Sequence, residues 1–233
     1  MPTHIGIIAV SPEGSAMCYR KLAQRASRVD DPLDRPLLTL HNIPFSRYLT
    51  AIEQDDWEGV ARLLQWSAET LAAAGVDFCI LPDNLAHHAA PMARSSSTVP
   101  WVSMIELVAE AVVRDGRKTV GLIGAKALTG GSIYQTVLGM KGVKVVVPAP
   151  EDIELINTII FTELIHGSVT DESRAHAQRV LDDLASRGCE GVILGSTETP
   201  LLVSEEAGGL SLYDPVRLLV DGAMSIAQGQ RTL

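Results

Sequence analysis

The chain has 233 residues, 46% of them hydrophobic and 4% aromatic, with a formal net charge of −9. This length suits one large α/β domain or two small lobes, with room for a sizeable core. The negative balance and the lack of any basic run speak against a nucleic-acid partner, and no apolar stretch approaches the roughly 20 residues that a membrane span needs.

The opening, MPTHIGIIAV, has no basic n-region and runs directly into a strand predicted over 4–10, so no signal peptide is expected. A helix carrying Tyr19 follows, and PLLTLH at 36–41 reads as a further strand. Residues 57–74, WEGVARLLQWSAETLAAA, place apolar side chains at helical spacing and stop at Gly75, a natural C-cap. A buried strand over 77–82 then ends on Asp83 and Asn84, with His87 and His88 close behind. Further strands are predicted over 119–124, 143–148 and 190–195, each a short run rich in Ile, Val and Leu. A helix over 171–187 begins with acids and stops at Gly188. The last strand ends on Ser196, Thr197 and Glu198.

The chain repeats itself. AGVDFCILPDN (74–84) aligns with RGCEGVILGST (187–197), so that Gly75 meets Gly188, Asp77 meets Glu190 and Asp83 falls on Ser196. At nearly the same offset HIGIIAV (4–10) meets TVGLIGA (119–125), and Tyr19 meets Tyr134. Alternating strands and helices imply parallel sheets with crossover helices. The expected fold is α/β, with two pseudo-symmetric lobes: 1–103 with 208–233, and 104–207. In such sheets ligands bind beyond the carboxyl ends of the strands. Two facing lobes would set Asp83 and Ser196 on opposite walls of one cleft.

Plainer readings compete. Asp and Ser are both preferred N-caps, so Asp83 and Ser196 could simply start the helices behind them. Asp83, His87 and His88 are poorly spaced for a metal, and no metal site is expected. GAKALTGG at 124–131 lacks the Lys-Ser/Thr ending of a phosphate loop. Cys18, Cys79 and Cys189 are an odd number without motif spacing, which points to free thiols in a reducing cytoplasm.

Five segments in order resemble the cofactor-independent aspartate/glutamate racemase superfamily: IGIIAVSPEGSAMCYRKL, DWEGVARLLQWSAETLAAAGVDFCILPDN, VGLIGAKALTGGSIY, GVILGSTETPLL and LYDPVRLLVDGAMSIA. The resemblance covers nearly the whole chain. It implies two lobes, no PLP or other cofactor, a dimer, and two cysteines acting on opposite faces of a substrate α-carbon. Those cysteines belong to Cys-Asn-Thr and Cys-Thr-Glu motifs. Here the motifs read Asp83-Asn84-Leu85 and Ser196-Thr197-Glu198, and the central-loop threonine reads Ala125, with Thr129 nearby.

A thiolate is a base near neutral pH because its pKa of about 8.5 is readily lowered. Asp, at about 3.9, is ionised but weakly basic unless burial raises it. A serine hydroxyl needs an adjacent base. The expectation is therefore an isomerase-type enzyme acting next to a carboxylate or carbonyl of a small amino acid or related acid, with Asp83 as base and Ser196 opposite. The second proton would come from His166 in ELIHG, or from a water held by Ser196 and Glu198. Ser11, Arg47, Asn84, Thr129, Thr197 and Glu198 are the candidate substrate contacts. A lyase or decarboxylase on this scaffold, or a silent carboxylate binder, are the rival readings.

Overall fold

The computed structural model describes residues 2–203 and 209–233. One sheet contains β1 (His4–Ala9), β2 (Leu37–Asn42), β3 (Phe78–Ile80) and β4 (Trp101–Val102), ordered β2-β1-β3-β4. The other contains β5 (Thr119–Ile123), β6 (Lys144–Val146), β7 (Gly191–Leu194) and β8 (Ser211–Tyr213), ordered β6-β5-β7-β8. All six pairings are parallel, and the two orders are the same. The internal repeat read from sequence is thus a repeat of topology. The strands β4 and β8 escape a pattern reading because neither lies in an apolar run as long as those that mark the other strands.

The chain divides into two compact units, one running to Met104 together with Leu219–Leu233, the other Ile105–Leu218. The expected lobe over 1–103 with 208–233 differs in one segment. Residues 211–213 belong with the second unit because β8 hydrogen-bonds to β7, with Val192 opposite Leu212.

In each unit one long helix seals the sheet. Val60, Leu64, Ala68 and Leu71, on the helix Trp57–Ala73, pack with Ile8, Cys79 and Leu81. Val180, Leu181 and Leu184, on the helix Asp171–Ser186, pack with Ile123, Val192 and Leu194. Spacings of three and four residues put each set on one helical stripe. Both helices are capped by side chains: Asp56 accepts from the Gly59 N–H at 2.7 Å, and Thr170 accepts from the Ser173 N–H at 3.1 Å. Both stop at a glycine with positive φ, +79° at Gly75 and +84° at Gly188, where a side chain would be strained.

The Asp77–Glu190 match also proves architectural. Asp77 donates its N–H to the His4 carbonyl (2.8 Å), and its carboxylate accepts from the His4 N–H (2.7 Å). Glu190 donates to the Thr119 carbonyl (2.9 Å), and its carboxylate accepts from the N–H groups of Lys118 (2.6 Å) and Thr119 (3.1 Å). Those backbone donors hold the Glu190 carboxyl below its usual range. Each acid locks the start of its unit's central strand to the neighbouring strand, which fixes where both strands end. The tyrosine match is positional only: Tyr19 is exposed, while Tyr134 is fully buried. Among the described residues no helix is long and apolar enough to cross a membrane.

Candidate active site

In the first unit β1 and β3 leave the sheet side by side, with Ile7 opposite Ile80. Beyond that pair the two chain segments run on to Val10 and Ser11 and to Asp83 and Asn84. Ser11 and Asn84 are buried, and Asp83 is half-buried. Ser11 occupies the N-cap position of the helix Pro12–Ala26 without capping it through its side chain. Asp83 Oδ1 accepts from the Ala86 N–H at 2.8 Å, so the capping role is real. A carboxylate offers about four lone-pair directions, so one cap does not exhaust it.

His87 braces this strand end from behind. The Met104 N–H donates to Nε2 (3.2 Å), so Nδ1 carries the hydrogen and donates to the Asp83 carbonyl (2.6 Å). The ring is buried, and desolvation, helped by the Arg94 charge, pushes its pKa down to about 4 despite the Asp83 hydrogen bond. It works as a neutral strut. Its linkage to stability has a definite sign. Below pH 6.5 the unfolded chain takes up a proton that the folded ring refuses until about pH 4. Stability is therefore complete above pH 6.5, falls by about 1.4 kcal/mol per pH unit on acidification through that window, and levels off below it. His176, also lowered mainly by burial, acts in the same direction. Melting curves from pH 7.5 to 5 should therefore show a shallower pH slope in His87→Gln than in the parent; equal slopes would refute the linkage.

In the second unit β5 and β7 run with Ile123 opposite Leu194. The Gly195 N–H donates to the Ile123 carbonyl at 2.6 Å, and the next residues turn back sharply. Ser196 Oγ donates to Glu198 Oε2 at 2.7 Å, and Thr197 Oγ1 donates to the same oxygen at 2.9 Å. Thr199 Oγ1 accepts from the Ser196 N–H at 3.2 Å, and its own N–H returns to the Ser196 carbonyl at 3.1 Å. All four residues are buried, Thr199 completely. A carboxylate thus lies within hydrogen-bond reach of the Ser196 hydroxyl, two residues along the chain.

The Asp/Glu/Hydantoin racemase family matches residues 7–223. The chain belongs to this family. A glutamate racemase of Persephonella marina is 29% identical over 147 residues, which make up 62% of this chain and 55% of that protein. The chain thus matches only about half the length of that curated relative. A solved aspartate racemase homologue from Pyrococcus horikoshii is 30% identical, covers 98% of this chain and 100% of its own, and superposes with a TM-score of 0.83. Picrophilus torridus aspartate racemase shares the fold, with a TM-score of 0.79 at 20% identity, over 97% of this chain and 94% of its own.

Not every residue singled out from sequence sits with these racemase-family strand ends. Arg47, expected to reach a substrate carboxylate, is exposed, with its guanidinium 5.8 Å from the centre of the Trp66 ring. His166, expected as second proton donor, is exposed at the end of the turn Leu164–His166. Among the described residues no hydrogen bond joins it to Ser196, Thr197 or Glu198. Thr129 is buried, but its hydroxyl donates back to the Lys126 carbonyl at 3.2 Å within the short helix Lys126–Thr129. His88 is exposed and lies against Trp57, ring centroids 4.3 Å apart and planes tilted by 53°.

The three thiols are buried, on the helix Pro12–Ala26, within β3 and just before β7; that of Cys79 is pushed up to about 12 by burial, which leaves it inert. Among the described residues no group of three or more His, Cys, Asp or Glu is placed to hold a metal ion. Sequence reasoning missed Thr199. The run Ser-Thr-Glu-Thr-Pro was a usable signal for it, since Ser and Thr hydroxyls commonly close such turns.

Proposed function

We propose that this family member is a cofactor-independent isomerase that moves a proton at the carbon next to the carboxylate of a small amino acid or related acid. In this reading Asp83 is the base, and Ser196 with Glu198 supplies the second proton. The observation that carries this reading is the buried Ser196 Oγ–Glu198 hydrogen bond of 2.7 Å, at the repeat position equivalent to Asp83.

In one direction the Asp83 carboxylate takes the α-proton, and the bonding pair passes into the substrate carboxylate as an enolate. Asn84, Thr197 and backbone N–H groups support that charge. Ser196 then delivers its hydroxyl proton to the other face while protonated Glu198 restores it. In the reverse direction Ser196 receives the α-proton as its own passes to ionised Glu198, and neutral Asp83 returns a proton. Each turnover leaves one of the two acids protonated and the other ionised, so atoms and charge balance. The relatives named for aspartate and glutamate racemases make acidic amino acids the first substrates to try.

The test is proton NMR of the protein with the enantiomers of aspartate, glutamate and a panel of related acids in heavy water, followed by chiral analysis. The expected result is loss of the α-proton signal together with inversion. Exchange without inversion, or a product short of a carboxyl group, would replace the isomerase with one-face or lyase chemistry. No exchange across the panel would overturn the enzyme reading. A silent carboxylate binder is the second reading, favoured by the cap from Asp83 to Ala86. It would show a Tm raised by ligand without turnover.

A further inference from the structure

The most unusual polar atom near Asp83 is the hydroxyl of Tyr48. This residue lies on the helix Phe45–Glu53, is 0% exposed, and has no hydrogen-bond partner for its hydroxyl among the described residues. Its ring belongs to the apolar cluster that contains Val10, Leu81, Ala86 and Ala89, residues that flank both Ser11 and Asp83. Burial, reinforced by the negative charge of Asp83, raises the phenol well above its ordinary range. The group is therefore a donor, never a phenolate, at any working pH.

A buried donor without a partner lowers stability, and a phenylalanine would fill the same space without that penalty. Packing alone does not call for the oxygen. We infer that the Tyr48 hydroxyl is a substrate-binding donor of the Asp83 half-site, reserved for a carboxylate or enolate oxygen of the bound acid. The inference rests on the proposed proton-transfer function, and it assigns a specific contact to it.

The test is Tyr48→Phe, read three ways. Its Tm should equal or exceed that of the parent, because the variant removes an unserved polar group. Its kcat/KM for α-proton exchange should fall about ten- to a hundredfold, the effect of a lost hydrogen bond to a charged group. A Tm lowered by about 5 °C or more would make the hydroxyl a structural partner and overturn the inference, as would unchanged kcat/KM with an exchanging parent.

If the parent exchanges no acid tested, the enzyme reading fails by itself, and a third measurement decides this one. The four tyrosines, labelled at Cζ with carbon-13, give resonances of which Tyr48 is assigned by its absence in the variant. A Tyr48 signal that moves on titration with L-aspartate, L-glutamate or malonate upholds the inference. A signal unmoved by all three overturns it.

Discussion

In Asp83→Asn, α-proton exchange should fall by about 10²- to 10⁴-fold, the usual contribution of a positioned general base. The fold should barely notice. Asparagine ranks with aspartate as an N-cap, so the Ala86 N–H keeps its partner, and the Asp83 carbonyl still accepts from His87. The variant thus separates the cap that the structure shows from the proposed role as base. Exchange is measured by NMR in heavy water and stability by thermal melting. Loss of exchange at constant Tm assigns the base. Loss of Tm at constant exchange leaves only the cap.

The largest effect on stability is expected from Gly195→Ala. A Cβ on residue 195 would stand 2.6 Å from Leu128 Cδ2, 2.8 Å from the Ile123 carbonyl oxygen and 2.9 Å from Leu122 Cδ1. Side chains can give way, but the carbonyl cannot, because it accepts the Gly195 N–H and belongs to the strand that sets the sheet. Gly124 approaches from the other side, its own Cβ direction meeting the Gly195 backbone at 3.0 Å. Overpacking of this kind costs about 2–3 kcal/mol, or a Tm lower by about 5–10 °C. Ser196 follows directly, so turnover should fall with stability. A melting curve that matches the parent's would show that the strand ends part without cost.

Much of the frame was legible because it is written in long-range patterns. The apolar runs gave the central strands, and Gly75 and Gly188 gave the ends of two helices. The repeat placed Asp83 and Ser196 at equivalent strand ends. The site chemistry was less legible, since it depends on side-chain direction within a single turn. Ser196 and Glu198 are only two apart in sequence, and nothing in the letters says that the chain turns to join them. Arg47 drew attention by its charge, yet the helix carries it outward and its neighbour Tyr48 inward. His87 and His88 are adjacent, but one is a buried strut and the other lies exposed on Trp57. His166 offered the right chemistry at a position that the fold leaves in solvent.

The paired locks at Asp77 and Glu190 bear on how such a chain could change over generations. Each fastens the far end of its own central strand, and Asp83 and Ser196 take no part in that fastening. Asp83 and Ser196 are tenants of a frame that stands without them. A gene that has doubled such a frame can rewrite one tenant while the other is kept. An acid at one strand end and a hydroxyl with its neighbouring acid at the other is the kind of unequal pair that this independence permits.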